Sequence, residues 1–282
     1  EKFPNDLKLK IKKEIKEANR KDQRFKAKNY KEYIDSFIGS TLRKMFFEKY
    51  PKKIWGIDTK KMTPDWAPNR IKFRKKILPF YHEEYAAVGK YGTGCVYDKI
   101  KSFINQKGGK INLKETVTGL KYKNKRITHI ITNKKKYEIL KNEIVISSLP
   151  INLTSKFLGE DNKLKFRGVC SVYLFYKKKE ILPKNHHWLY FDSEKLIFNR
   201  VTENKKLSKF VAPNDKSFVT LEITYTQGDK FSKVDPKKII EIAKNQFNKL
   251  NIIDKRYFLE ASINYEPFVY PVQFSDYKDE VA

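Results

Sequence analysis

The chain has 282 residues, of which 40% are hydrophobic and 14% aromatic; that is enough for about two domains with a proper core and excludes a chain that stays unfolded. Its net charge of +28 raises the prospect of a polyanionic partner, yet only nine of the 61 basic residues are Arg and the lysines run from Lys2 to Lys278, which fits a compositional drift better than a dedicated phosphate reader. The longest apolar runs, EIVISSLPI and RITHIIT, are far short of the eighteen or so residues a membrane-spanning helix needs, so no transmembrane span is expected.

In chain order, the first thirty residues are polar and basic, with Leu7, Ile11 and Ile15 at helical spacing and Leu7, Leu9 and Ile11 at strand spacing, so either element is open there. Tyr30, Tyr33, Ile34, Phe37, Ile38, Leu42, Met45 and Phe46 follow the spacing of a buried helical stripe and predict one helix from Tyr30 to about Lys49. Pro51, Gly56, Pro64 and Pro68 then forbid a long regular element. Val96, Ile100, Phe103 and Ile104 predict a short helix after Gly94 that stops at Gly108-Gly109. KINL, VTGLKY, RITHIIT, YEIL and EIVIS follow as strands of a small sheet, and the continuous apolar run of EIVISSLP reads as a strand buried on both faces in a parallel sheet. VCSVYLFY, HHWLYF, LIFNRV and SFVTLEITY predict a second sheet, Asp235-Pro236 opens a helix, and a last strand is expected near Phe258 to Tyr265.

Metal and nucleophile motifs are absent. Cys95 and Cys170 offer neither a disulfide framework nor metal-ligand spacing, which favours a reducing, cytoplasmic compartment, and the adjacent His186 and His187 would point to opposite faces of a strand. Gly92-Thr93-Gly94 is the one close glycine pair that could open a phosphate-cradling loop, but the next slot of a dinucleotide fingerprint is Tyr97. The first residue is Glu1 and no signal segment follows, so the sequence reads as an internal piece of something longer.

The string FFEKYPKKIWGIDTKKMTPDWAPNRI resembles a segment of flavoproteins in the amine oxidase and protoporphyrinogen oxidase superfamily, which includes UDP-galactopyranose mutase; there a tyrosine, then K-x-W-G, then an arginine mark the substrate domain. KYGTGCVYDKIKSFINQKGGKINLKETVTGL, EIVISSLPI, LKFRGVCSVYLFY, HHWLYF, IFNRVTENKKLS and FVYPVQFSDY resemble later blocks of the same superfamily in order, so the resemblance covers Tyr30 to the C-terminus. The superfamily's N-terminal glycine fingerprint and its C-terminal glycine-rich segment have no counterpart, which marks the chain as the middle of a flavoprotein that by itself would not bind FAD tightly and would be inactive.

The resemblance implies a fold of mixed α/β and α+β type: a partial, Rossmann-like FAD-binding domain beside a substrate domain of antiparallel sheet and helices. Residues 1–89 would be the helical and loop part of the substrate domain, 90–157 the partial FAD-binding domain, 158–270 the substrate-domain sheet and helix, and 271–282 the start of a return to the FAD domain. It implies FAD as the cofactor of the full-length protein, with the Gly92, Thr93 and Gly94 turn, Val117 by its backbone, and Ser147 and Ser148 beside the dinucleotide. It further implies a small-molecule substrate contacted by Tyr50, Trp55, Arg70 and Arg200, the arginines suiting a diphosphate because their forks donate parallel charge-assisted bonds. Three functions follow: an FAD-dependent oxidoreductase, in which no acid-base residue is demanded of the protein; a mutase-like enzyme acting on a nucleotide sugar; or a basic module whose Lys-Tyr interleaving at Lys121 to Lys125 and Tyr173 to Lys179 stacks on single-stranded nucleic acid, the last being the least expected.

Overall fold

The computed structural model describes residues 3–21, 26–67, 71, 88–160 and 162–281. In chain order its main elements are helices α1 (Asn5–Lys21), α2 (Tyr30–Ile38), α3 (Ser40–Phe46), α4 (Lys49–Trp55) and α5 (Gly94–Gln106), strands β1 (Val117–Lys123), β2 (Arg126–Thr132) and β3 (Lys136–Glu138), helix α6 (Ile151–Phe157), strands β4 (Phe166–Tyr176), β5 (Trp188–Tyr190), β6 (Arg200–Glu203) and β7 (Ser217–Thr226), helix α7 (Pro236–Asn248) and strand β8 (Phe258–Pro271). The chain divides into two compact units, residues 1–93 with 165–277, and residues 94–164 with 278–282.

The first unit is built on a five-stranded antiparallel sheet in the order β5-β6-β7-β4-β8. Strand period fixes which side chains meet the core. Cys170, Val172, Leu174 and Tyr176 of β4 alternate onto the same face as Val219, Leu221, Ile223 and Tyr225 of β7, and all eight are buried. Against them lies α7, presenting Ile239, Ala243 and Phe247 at helical spacing. Its start follows the sequence reading: Asp235 accepts a hydrogen bond from Lys237 N at 2.8 Å, and Pro236 occupies the first helical position. Of the Lys-Tyr interleaving from Tyr173 to Lys179, Tyr176 is fully buried on the core face of β4 while Tyr173 on the other face is half-buried, so the stretch does not present both rings for stacking.

The opposite face of the sheet carries Thr220, Glu222 and Thr224 of β7, and it is associated with a second cluster of Tyr30, Ile34, Phe37, Ile38, Trp55, Met62 and Ala67. The single helix expected from Tyr30 to Lys49 is instead α2, α3 and the start of α4. The break lies at Gly39, whose φ of +85° is a left-handed-side conformation that a helix cannot continue through. Gly39 has no side chain to cap α3, and Glu14 of α1 takes over: its carboxylate accepts from Thr41 N at 2.8 Å and Thr41 Oγ1 at 2.7 Å. The ambiguous first segment is thus helical, with Ile11 buried.

The second unit holds α5, a three-stranded antiparallel sheet β1-β2-β3 and α6. Two expectations fail here. The EIVIS run is not a strand buried on both faces: residues 143–147 pair with no strand among the described residues, and Ile144 and Ile146 are 88% and 90% exposed. A continuous apolar run needs a neighbour on each side to become a central strand, and the described sheet ends at β3. KINL likewise forms no strand, whereas the helix expected after Gly94 is present as α5, with Val96, Ile100 and Phe103 at helical spacing on an exposed face.

Candidate functional site

The first unit contains a cavity of about 690 Å³ whose floor and walls come from both its layers. Period two in the sheet delivers Val169 from β4, Arg200 from β6, and Glu222 and Thr224 from β7; Tyr190 ends β5, and Tyr270 comes from β8. The helical layer supplies Tyr30, Phe46, Phe47, Tyr50, Trp55 and Trp66. The rings interlock edge to face: Tyr50 on Tyr190 at 5.2 Å between centroids, Trp55 on Trp66 at 5.7 Å, and Trp55 on Tyr270 at 5.8 Å. Such pairs contribute about 0.5–1.5 kcal/mol each beyond area burial, so the aromatic wall is preformed.

Three of the four expected substrate-side residues, Tyr50, Trp55 and Arg200, therefore share one cavity, while Arg70 lies outside the described residues. Arg200 is not a free cation. Its Nε donates to Glu222 Oε1 at 2.9 Å and its Nη2 bonds the same oxygen. Burial alone would ease deprotonation of this guanidinium, but the bonds from Glu222 and Tyr190 outweigh it and hold its pKa above the ordinary value. Among the described lining residues the charged groups are Asp192, Glu222 and Arg200, a local balance of acid over base in a chain of opposite sign overall.

The phenols are held neutral: burial raises the pKa of Tyr30, and burial with neighbouring Tyr190 raises that of Tyr50, against the pull of Arg200. Neither serves as a base near neutrality. Three polar atoms on cavity-lining residues, Tyr30 Oη, Trp55 Nε1 and Gln273 Oε1, are buried without a hydrogen-bond partner among the described residues. An orphaned buried donor or acceptor is unfavourable by about 1–3 kcal/mol, so these atoms are a cost carried by the residues around the cavity. The arrangement can clasp a planar molecule between rings and accept hydrogen bonds at Asp192 and Glu222.

The K-x-W-G motif folds as the end of α4. Trp55 closes the helix on the cavity side, and Gly56 follows at φ +68°, where an added Cβ would sit 2.7 Å from Arg167 Nη1. Arg167 is itself buried and donates to the last carbonyls of α4, Ile54 O at 2.9 Å and Lys53 O at 3.4 Å, and to Thr226 Oγ1 at 2.6 Å. A cation at a helix C-terminus satisfies its orphan carbonyls and meets the negative end of its dipole. Glu222, Asp192 and Tyr190 escaped the sequence reading; the one signal for Glu222 was a lone acid on the polar face of an otherwise apolar and hydroxyl-bearing strand.

In the first unit, Gly92 turns at φ +96°, with Thr93 after it. In the second, Gly94 is the first residue of α5, Val117 opens β1 opposite Thr132, and Ser147 Oγ lies 3.2 Å from Thr154 Oγ1 with Ser148 next in sequence. Val117 lines a cavity of about 680 Å³ with Glu115, Glu138, Glu143, Val145 and Ile146. Glu115 is engaged there by Thr132 and Tyr137, at 2.6 and 2.8 Å, which hold its pKa below the ordinary value against desolvation. A Cβ added at Gly92 or Gly94 would meet no atom of the chain, so neither is needed for a close approach within it.

No protein-family model matches the chain, and no curated protein matches it in sequence. In fold it is similar to reduced UDP-galactopyranose mutase, with a TM-score of 0.76 at 16% identity over 99% of this chain and 63% of that one. It is also similar to a protein assigned as a protoporphyrinogen oxidase from an Exiguobacterium species, with a TM-score of 0.64 at 11% identity over 90% of this chain and 57% of that one. The chain thus spans less than two thirds of the length of either. The shared fold is the helix-and-antiparallel-sheet architecture that the sequence resemblance implied.

Proposed function

We propose, for a chain with the fold of the amine-oxidase-like flavoproteins, that its first unit is the substrate platform of an FAD-dependent oxidoreductase acting on a planar substrate that is neutral or cationic. The observation that carries this reading is the Arg200–Glu222 pair in an aromatic cavity. A diphosphate needs arginines with uncommitted forks, and the described arginine is committed to a carboxylate. Aromatic faces with Asp192, the lining carboxylate outside that pair, beside them instead attract a cation or a hydrogen-bond donor.

FAD, when bound, would supply the hydride acceptor, and this chain's residues orient the substrate: the ring walls hold its plane, Asp192 and Glu222 receive its donors, and the neutral Tyr50 donates. The flavin's phosphates would be held by groups other than those described here, so the purified chain is expected to carry no yellow flavin and to show no melting shift with FAD. The test is thermal melting with benzylamine as a planar cation and UDP as a diphosphate. Benzylamine should raise the midpoint; saturation at a hundredfold over its dissociation constant corresponds to about 2.7 kcal/mol. Stabilisation by UDP without any by benzylamine would reverse the assignment in favour of the nucleotide-sugar mutase.

A further inference from the structure

The residue before the Ile-Trp-Gly of the motif, Lys53, is not among the residues that line the cavity, and among the described residues it pairs with no carboxylate at contact distance. Its side chain runs from α4 to the loop between β5 and β6, where Nζ donates to three backbone carbonyls of that one loop: Phe198 O at 2.6 Å, Ser193 O at 2.9 Å and Phe191 O at 3.3 Å. An ammonium has three donors and no acceptor, so all of its bonding capacity is taken up by the loop. The loop is flanked by Tyr190 and Arg200 and includes Asp192 and Asn199, all four of which line the cavity.

We propose that Lys53 is the positioning residue of the cavity wall: its ammonium ties the loop of residues 191–199 to α4 and thereby sets where Tyr190, Asp192, Asn199 and Arg200 stand. Two further observations bear on it. The main chain of Lys53 is anchored independently, its carbonyl accepting from Thr224 Oγ1 at 3.0 Å and from Arg167, so the side chain reaches the loop from a fixed base. The loop's other ties are spread along it, and each joins one point: Phe191 N to Asn199 O, Leu196 N and Lys195 N to Ser193, Asn199 N to Glu222 O, Asn199 Nδ2 to Thr224 Oγ1, Ile197 N and Lys195 O to the side chain of Gln246, and the exposed Lys52–Glu194 ion pair, whereas Lys53 Nζ gathers three of its carbonyls at one atom. Lys205 and Lys206 cap carbonyl triplets in the same manner elsewhere, at Pro213, Asn214 and Lys216 and at Leu182, Pro183 and Lys184, but neither triplet belongs to the cavity. Burial pulls the Lys53 ammonium down to about 8, with Asp192 and Glu194 on the loop holding it up. This role goes beyond the substrate assignment and holds for any ligand of the cavity.

Amide hydrogen exchange and 19F NMR with 3-fluorotyrosine test it on the native protein and on Lys53→Met, which keeps the stem and removes the donors. In the native protein the amides of Phe191, Ile197 and Asn199 should be protected at least about a hundredfold over the free-chain rate; exchange at the free-chain rate overturns the proposal without any variant, so failure of Lys53→Met to fold leaves it testable. In Lys53→Met these amides should exchange about ten- to a hundredfold faster, the span expected for losing bonds to a charged donor, while those of Val172 and Leu221 in the sheet core keep their protection. The Tyr190 and Tyr50 resonances should shift or broaden while Tyr176 and Tyr225 stay in place. Faster loop exchange with Tyr190 and Tyr50 unmoved would make Lys53 a loop staple only and would sink the positioning role, as would unchanged exchange in the variant.

Discussion

Arg200 and Glu222 face each other across the β6–β7 pair: they are register partners in the ladder, and Arg200 Nε lies 2.9 Å from Glu222 Oε1. The ladder brings their backbones together and the pleat sends both side chains to the cavity face, so the ion pair is a consequence of register. Because Glu222 holds the guanidinium, Glu222→Gln should release it. Affinity for inorganic pyrophosphate, measured by calorimetry, should then rise by roughly tenfold or more, the worth of about 1.5–3 kcal/mol for a bond to a charged group. Unchanged affinity would mean that Arg200 is not presented to ligands.

The two apolar stretches with the strongest sequence signal should respond in opposite ways to mutation. Leu174 is fully buried between the sheet and α7, so Leu174→Ala should lower unfolding free energy by about 2–5 kcal/mol in urea titration. Ile144 is 88% exposed, and Ile144→Ser should stay within about 0.5 kcal/mol of the native value. A large loss at Ile144 would show that residues 143–147 are covered in solution.

The buried thiol of Cys170 is pushed up to about 12 by burial, against a bond with Tyr265, so it carries almost no thiolate near neutrality. Iodoacetamide at about pH 8 should leave Cys170 unmodified in the folded chain and alkylate it fully in denaturant, with peptide mass analysis as the readout. Modification in the folded state would contradict the burial of β4 between β7 and β8.

Glu14 gives the acid limb a specific component. Burial opposes its ionisation, yet the Thr41 hydroxyl and amide with nearby Lys10 prevail and hold its pKa below the ordinary value. A carboxylate depressed in the folded state contributes stability above its unfolded value of 4.5, and that contribution is lost as pH falls through the folded value. Glu14→Gln should therefore be less stable than the native chain near neutrality and flatter in its loss below about pH 4.5. Parallel pH profiles would remove Glu14 as the cap of α3.

Local chemistry was legible in the sequence wherever it was sufficient. Asp235-Pro236 started α7 because a cap and a fixed φ act within one turn, and β4 and β7 announced themselves because alternation is what a sheet with one core face needs. Tyr50, Trp55 and Arg200, named through the resemblance of their strings to a flavoprotein superfamily, lie on one cavity. Tertiary structure decided the rest. Gly39 broke the long helix where an apolar stripe ran on regardless, since periodicity reports which face is apolar and not whether the backbone can continue. The exposure of Ile144 and Ile146 depended on neighbouring strands, which a run of apolar residues calls for but cannot supply. The charge state of the cavity turned on Glu222 lying opposite Arg200, a matter of register between strands separated in sequence, and no local pattern encodes a pairing of that kind.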